Sequence, residues 1–550
     1  MNHKIFAMIA TAAALPAQAQ AQAAPAPAAA TASTPAAAPS RVATESGAVQ
    51  GHVVDGVLRF KGIPYAAPPV GALRWRAPQP ARAWRGTHDA KAFGNDCMQR
   101  LLSTAYAPIL TEPNEDCLYL NVWRPAEASA RPLPVLVYIY GGGFTRGGSS
   151  STVYGGDAFA KQGVVMVSFN YRVGRLGFFG HPALSAEHPE EPKGNYGFMD
   201  QIAALKWVQR NIARFGGDPA RVTIMGESAG GFSVNVMMTS PLARGLFHGA
   251  ISQSGGPSGR NPAAPPRYLA KDMPNLPSLE RIGVNYAATK GIVGSDAATL
   301  ARLRALPADA VVDLPEGGLE GGSPATAVWG GFAIDGKLVA ESPAEVFRSG
   351  RQAPVPVLVG ANTDDRPGAD IPAGRLELAK VIERFGPLQD RALVAYDPQG
   401  LRDVPSMARD IGMDAMMIEP ERFVAVSAAA QGMPAWQYRF AYKTEAIANR
   451  WSRGAPHAAE LAYVFDTVAP YYGPARSATD QAVARMLNAY WANFVKTGNP
   501  NGAGLPAWPA YEPRTDHVLV VGGDGTAQGK VDPWKDRLEL TAAVADVARP

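Results

Sequence analysis

Residues Arg221–Met238 read RVTIMGESAGGFSVNVMM. The run RVTIM is short, apolar and β-branched, as a buried strand should be, and Ala229–Met238 carries the amphipathic pattern of a helix. Between them Ser228 stands at the centre of a G-x-S-x-G pattern, flanked by Gly226 and Gly230. A strand that becomes a helix over so few residues strains the backbone at its corner, and the two glycines leave room for neighbouring chain to come close. The serine hydroxyl is then exposed at the edge of a sheet, where a nucleophile belongs.

The flanking sequence supplies such a sheet. LPVLVYIY (Leu133–Tyr140), VVMVSFNY (Val164–Tyr171) and VPVLVG (Val355–Gly360) are apolar runs without clean alternation, the pattern of strands buried on both faces of a mostly parallel sheet. Asp200–Gly217 sets Ile202, Leu205, Val208 and Ile212 at helical spacing before a glycine stop. Strands alternating with helices predict the α/β class. The Pro- and Gly-rich stretch from Ser254 to Gly322 breaks the rhythm, and insertions at the carboxyl end of such a sheet form walls of a site.

A serine hydroxyl near neutral pH needs a base within hydrogen-bond reach, itself oriented by a carboxylate. On an elbow of this kind the partners follow in the order serine, acid, histidine. Of eight histidines, His457 and His517 come late enough. His517, in TDHVLVVGG, reads as part of a strand, so the glycine-bearing loop of GAPHAAELAYVF makes His457 the better-placed base. Beyond Val355–Gly360, the stretch ANTDDRPGAD offers Asp364, Asp365 and Asp370, and spacing does not choose between the first two. The glycines Gly141–Gly143, directly after a strand, put backbone N–H groups where an oxyanion would develop, each such donor being worth about 3 kcal/mol.

Composition limits the alternatives. With 47% hydrophobic and 18% charged residues the chain can bury a large core, and a formal charge of +4 without a basic block excludes nucleic acid and anionic membranes as partners. Lys4, the apolar Ile5–Leu15 and small residues near Ala17, Ala19 and Ala21 read as a signal peptide over residues 1–21, with export to the periplasm or the medium. An Ala/Pro-rich linker over 22–40 and one domain over 41–550 follow. In an oxidising compartment the two cysteines, Cys97 and Cys117, are expected to pair and to stabilise the fold by roughly 3 kcal/mol. The apolar run Ile5–Leu15 is too short to span a bilayer, and no later segment offers a long enough one.

The motifs FKGIPYAAPPVGALRWRAPQP, NEDCLYLNVW, GGGF, NYRVGRLGFF, GNYGFMDQIAALKWV, GESAGG, SQSGG and GAPHAAELAYVF run in order from Phe60 towards the terminal WPAY. In them the chain resembles the type-B carboxylesterases, which include bacterial para-nitrobenzyl esterases, animal carboxylesterases and cholinesterases. The resemblance implies an α/β-hydrolase fold and hydrolysis of small-molecule carboxylic esters through an acyl-enzyme, without metal or organic cofactor. It implies Ser228, Asp365 and His457 as the triad, Asp365 standing where the family usually has glutamate, with Asp364 in reserve and Arg366 replacing a glycine. It further implies Gly142, Gly143 and Ala229 as oxyanion donors, Glu227 and Ser254 as residues that orient the triad, and Cys97–Cys117 as a disulfide. The loop between the cysteines lacks the tryptophan with which cholinesterases hold a quaternary ammonium, which speaks against choline esters. Arg146 and Arg175 fall near the motifs, and in the pocket they would favour substrates bearing carboxylates, as in fumonisin-type esterases. A reading of another class is a non-catalytic adhesion module on the same fold.

Overall fold

The apolar runs become the interior of one large sheet because strands with Val, Ile and Leu on both faces need cover on both sides. The computed structural model describes residues 38–101, 106–313, 326–365, 377–444 and 453–547. The expected signal peptide and most of the linker lie outside the described residues. Ala38 already donates to Ala126 O at 2.7 Å, so ordered structure reaches ahead of Arg41.

The sheet contains β1 (His52–Val54), β2 (Val57–Pro64), β3 (Tyr119–Pro125), β4 (Leu133–Ile139), β5 (Val165–Phe169) and β6 (Gly217–Glu227). It continues with β7 (Gly249–Gln253), β8 (Val357–Asn362), β9 (Ala435–Phe440), β10 (His517–Val521) and β11 (Ala527–Val531). Their spatial order is β11-β10-β9-β8-β7-β6-β4-β5-β3-β2-β1. From β10 to β5 every neighbouring pair is parallel, and both margins are antiparallel. Val135, Val137, Val165, Val167, Ile224, Met225 and Ile251 have at most 1% of their surface exposed, which accounts for their unbroken hydrophobicity.

Helices α1 (Tyr196–Asn211), α2 (Ala229–Thr239), α3 (Glu419–Ala430) and α4 (Ala478–Thr497) pack on this sheet. The sequence pattern places the start of α1 at Asp200, but the helix begins four residues earlier. The buried Asp200 carboxylate receives the Arg172 guanidinium at 2.7 and 2.8 Å. A 3₁₀ turn over Ile212–Phe215 tightens the exit, and Gly216 closes it at φ +79°. The insertion after β7 contains helices Leu279–Thr289 and Ala297–Arg304.

Candidate active site

Strand β6 delivers Ser228 at its carboxyl end, and the residue caps α2 with φ +56° and ψ −125°. That strained backbone is locked from three sides. Ser228 N–H donates to Gln253 O at 2.8 Å; a Cβ on Gly226 would lie 2.2 Å from Gly230 O; and one on Gly230 would lie 2.0 Å from Ile139 O. The elbow therefore fits only with glycine at both positions, and α2 rests directly on the end of β4.

Two further loops leave the carboxyl ends of β8 and β9. Asn362 Nδ2 donates to Pro456 O at 2.7 Å, Asp364 N–H to Ala455 O at 2.8 Å, and Ala455 N–H to Thr363 Oγ1 at 3.0 Å, so the acid and histidine loops are stitched together. His457 Nε2 lies 2.8 Å from Ser228 Oγ, and His457 Nδ1 lies 2.5 Å from Asp365 Oδ1. The other oxygen of Asp365 accepts from Ser254 Oγ at 2.5 Å and from Asn362 N–H at 2.7 Å. Asp364 turns elsewhere, its Oδ1 held by Arg409. His517 belongs to β10 and faces Thr515. Asp370 and Arg366 lie outside the described residues.

After β4, Gly141 packs on the elbow, a Cβ there meeting Ser228 Cβ at 3.0 Å. Gly142 and Gly143 follow at φ +112° and +62°. Among the described residues no acceptor takes the N–H of Gly142, Gly143 or Ala229. Such free, fixed donors beside a serine hydroxyl can stabilise developing negative charge.

Buried carboxyls surround the imidazole. Glu227 Oε1 lies 3.3 Å from His457 Nε2 with no hydrogen-bond partner, and burial pushes this carboxyl up to about 8. For His457, burial lowers the pKa, but the Glu227 and Asp365 carboxylates more than offset it, leaving the ring raised to about 9. The sequence reading missed Glu460, although it stands three residues beyond His457 in HAAE. Its carboxyl accepts from Gln253 Nε2 at 2.9 Å and Asn362 Nδ2 at 2.6 Å, and burial raises its pKa. It also missed Glu421, which accepts from Ser252 Oγ at 2.8 Å and Gly255 N–H at 2.6 Å.

The two arginines part company. Arg175, 2% exposed, donates to Val328 O, Val311 O and Asp313 Oδ1 at 2.7–2.9 Å and stacks 4.3 Å from the Tyr286 ring. Its charge and donors are used inside the fold, the structurally paired role. Arg146 is half-buried, and no hydrogen bond or ion pair engages its guanidinium among the described residues. Cys97 and Cys117 form a disulfide. Among the described residues His188, Glu190 and Glu191 could together approach a metal ion, but they lie away from Ser228 and Glu191 is bonded to Arg76.

A profile of the carboxylesterase family matches residues 38–369 and 396–535. The chain belongs to the carboxylesterase family. A fumonisin B1 esterase of Sphingopyxis macrogoltabida is 36% identical to it over 506 residues, spanning 88% of this chain and 87% of the relative. A para-nitrobenzyl esterase of Bacillus subtilis is 32% identical over 509 residues, spanning 90% and 97%. Among solved structures, a carboxylesterase of Geobacillus stearothermophilus superposes with a TM-score of 0.75 at 34% identity, covering 92% of this chain and 100% of that one. A para-nitrobenzyl esterase structure gives 0.75 at 30% identity, covering 91% and 99%. This carboxylesterase thus has the α/β-hydrolase fold and is a carboxylic-ester hydrolase of the serine type. No helix among its described residues is long and apolar enough to cross a membrane.

Proposed function

We propose that Ser228, His457 and Asp365 carry out the hydrolysis and that Gly142, Gly143 and Ala229 hold the oxyanion. His457 Nε2 takes the Ser228 proton as Oγ attacks the ester carbonyl, while Asp365 keeps Nδ1 protonated and the ring oriented. The carbonyl oxygen, now negative, receives the three free N–H groups. His457 then protonates the departing alcohol. Water follows the same route, giving its proton to His457 and releasing the acid from Ser228. Glu227 and Ser254 orient the triad. The observation that carries this reading is the 2.8 Å contact from Ser228 Oγ to His457 Nε2, continued at 2.5 Å to Asp365. Ser228→Ala is expected to lower turnover of a para-nitrophenyl ester by on the order of 10⁶-fold with the fold intact. Retained turnover in a folded variant would overturn it.

A narrower substrate class, esters that carry additional carboxylates, is favoured by Arg146, a half-buried cation three residues beyond Gly143 that is unpaired among the described residues. The similarity to a fumonisin B1 esterase supports the same reading. Arg146→Ala is expected to reduce the kcat/KM preference for anionic over neutral esters by about tenfold, the scale of one charge-assisted contact. An unchanged preference would remove arginine-directed recognition. We also propose export after cleavage of residues 1–21, supported by the Lys4–Leu15 pattern and by the disulfide, which needs an oxidising compartment.

A further inference from the structure

Three free N–H groups are useful only if their loop is held still, and Gly142 and Gly143 are glycines with little intrinsic stiffness. The chain after them returns through Gly147 and Gly148 to Ser149 and Ser150. Gly147 lies against the start of the same loop: a Cβ there would be 2.6 Å from Gly141 O. Whatever fixes Gly147 therefore also fixes the position from which Gly142 and Gly143 present their N–H groups.

Gln99 does this with both ends of its amide. Its Nε2 donates to Gly147 O at 2.8 Å, and its Oε1 accepts from Gly147 N–H at 2.8 Å, as a neighbouring strand would. Nε2 also donates to Cys97 O at 2.9 Å, and the side chain is 7% exposed. Beside it, Asp96 Oδ2 accepts from Ser150 Oγ and from Thr111 Oγ1, and Ser150 Oγ accepts from Leu110 N–H at 2.7 Å. A Cβ on Gly148 would strike Asp96 Oδ1 at 2.0 Å, so the two chains touch along this whole limb. Asp96–Met98 is anchored in turn: Asn114 N–H donates to Asp96 O and Met98 N–H to Asn114 O, each at 2.9 Å, next to the disulfide.

We infer that Gln99 is a positioning residue for the oxyanion loop, its amide clamping Gly147 so that the N–H groups of Gly142 and Gly143 converge on the Ser228 carbonyl adduct. This rests on the proposed triad and oxyanion donors. The clamp acts on the charged adduct and not on the bound ester, because the hydrogen bonds to the carbonyl oxygen strengthen as charge develops.

The test uses two substitutions in the full chain. Gln99→Met keeps the length and loses both hydrogen bonds. Its kcat on a para-nitrophenyl ester is expected to fall about 10- to 100-fold, as for an ångström-scale misplacement, with KM within about twofold. Inhibition by a trifluoromethyl ketone, whose serine adduct carries an oxyanion, should weaken by the same factor as kcat/KM. Gln99→Glu presents two acceptors to Gly147 O when ionised, but once protonated it can donate to Gly147 O and accept from Gly147 N–H. The ratio of its kcat to that of the wild type should therefore rise several-fold from about pH 8 to about pH 5, while the Gln99→Met ratio stays flat. Should Gln99→Met fail to fold, the Gln99→Glu ratio carries the test alone.

Wild-type kcat in folded Gln99→Met, or a reduced but pH-flat ratio in Gln99→Glu, overturns the clamp. If Ser228→Ala is inactive while Gln99→Met is fully active, the triad stands and the clamp falls. Turnover retained in Ser228→Ala removes both.

Discussion

Glu227 sits 3.3 Å from the nitrogen of His457 that also faces Ser228, so the charge on each group shifts the titration of the other. Burial lowers the pKa of the ring, but the Glu227 and Asp365 carboxylates raise it more, to about 9. An imidazolium cannot accept the serine proton, so kcat/KM should climb with pH into the mildly alkaline range. Glu227→Gln removes one of the three carboxylates, with Asp365 and Glu460, that favour the protonated ring, which moves this acid limb to lower pH. A kcat/KM profile on a neutral ester measures the shift, and an unmoved limb would mean that Glu227 places no charge on the ring. The same small volume shows why the acid was only half legible. Asp364 and Asp365 are adjacent and chemically alike, and no local pattern separates them. Arg409, 45 positions onward, claims the first, while Ser254, 111 positions back, supports the second. Such choices are made by tertiary partners. The donors of Arg175 likewise go to distant partners, Asp313 and the carbonyls of Val311 and Val328.

Strands and the elbow were the readable elements, because both faces of the sheet are buried and leave unbroken apolar runs, and because a tight strand-to-helix corner admits so few residues. The start of α1 was less legible, since apolar spacing marks the buried face of a helix and not its first residue. The elbow's demand for glycine gives a prediction with an internal contrast. In Gly230→Ala the new methyl would lie 2.0 Å from Ile139 O, so α2 must move off β4. The cost is expected at about 1–3 kcal/mol in a urea titration, with kcat down about 100-fold as Ser228 leaves its position. Gly412, in the helix Val404–Met413, has nothing within 4 Å of the same methyl. Gly412→Ala should instead stabilise by about 0.5–1 kcal/mol with kcat unchanged. Equal effects from the two substitutions would remove packing at the elbow as the cause.

Across the whole molecule the site is assembled from chain ends that the sheet order brings together, with β4 inserted between β5 and β6 so that the oxyanion loop emerges beside the elbow. Apolar runs name strands but not their neighbours, so periodicity left this order open. The disulfide-closed segment is a second assembly device. Besides bonding to Gly147 and Ser150 through Gln99 and Asp96, it reaches the loop of His457, with Tyr106 OH donating to Ala459 O at 3.4 Å and Tyr471 OH donating to Tyr106 O at 3.0 Å. The Cys97–Cys117 bond spans 20 positions, and its removal should cost roughly 3 kcal/mol if it acts by restricting the unfolded chain. Yet the segment lies outside the central sheet and can loosen before the sheet does, since stability is not uniform through a large fold. Replacing both cysteines with serine is therefore expected to separate two midpoints that coincide in the wild type. Activity measured at each temperature should fall at a lower temperature than the loss of helical circular dichroism. The separation follows because kcat depends on the two loops the segment holds, while the dichroism follows the helices packed on the sheet. Coincident midpoints in the double variant, both lowered together, would mean that the bond stabilises the body as one unit and has no separate hold on the site.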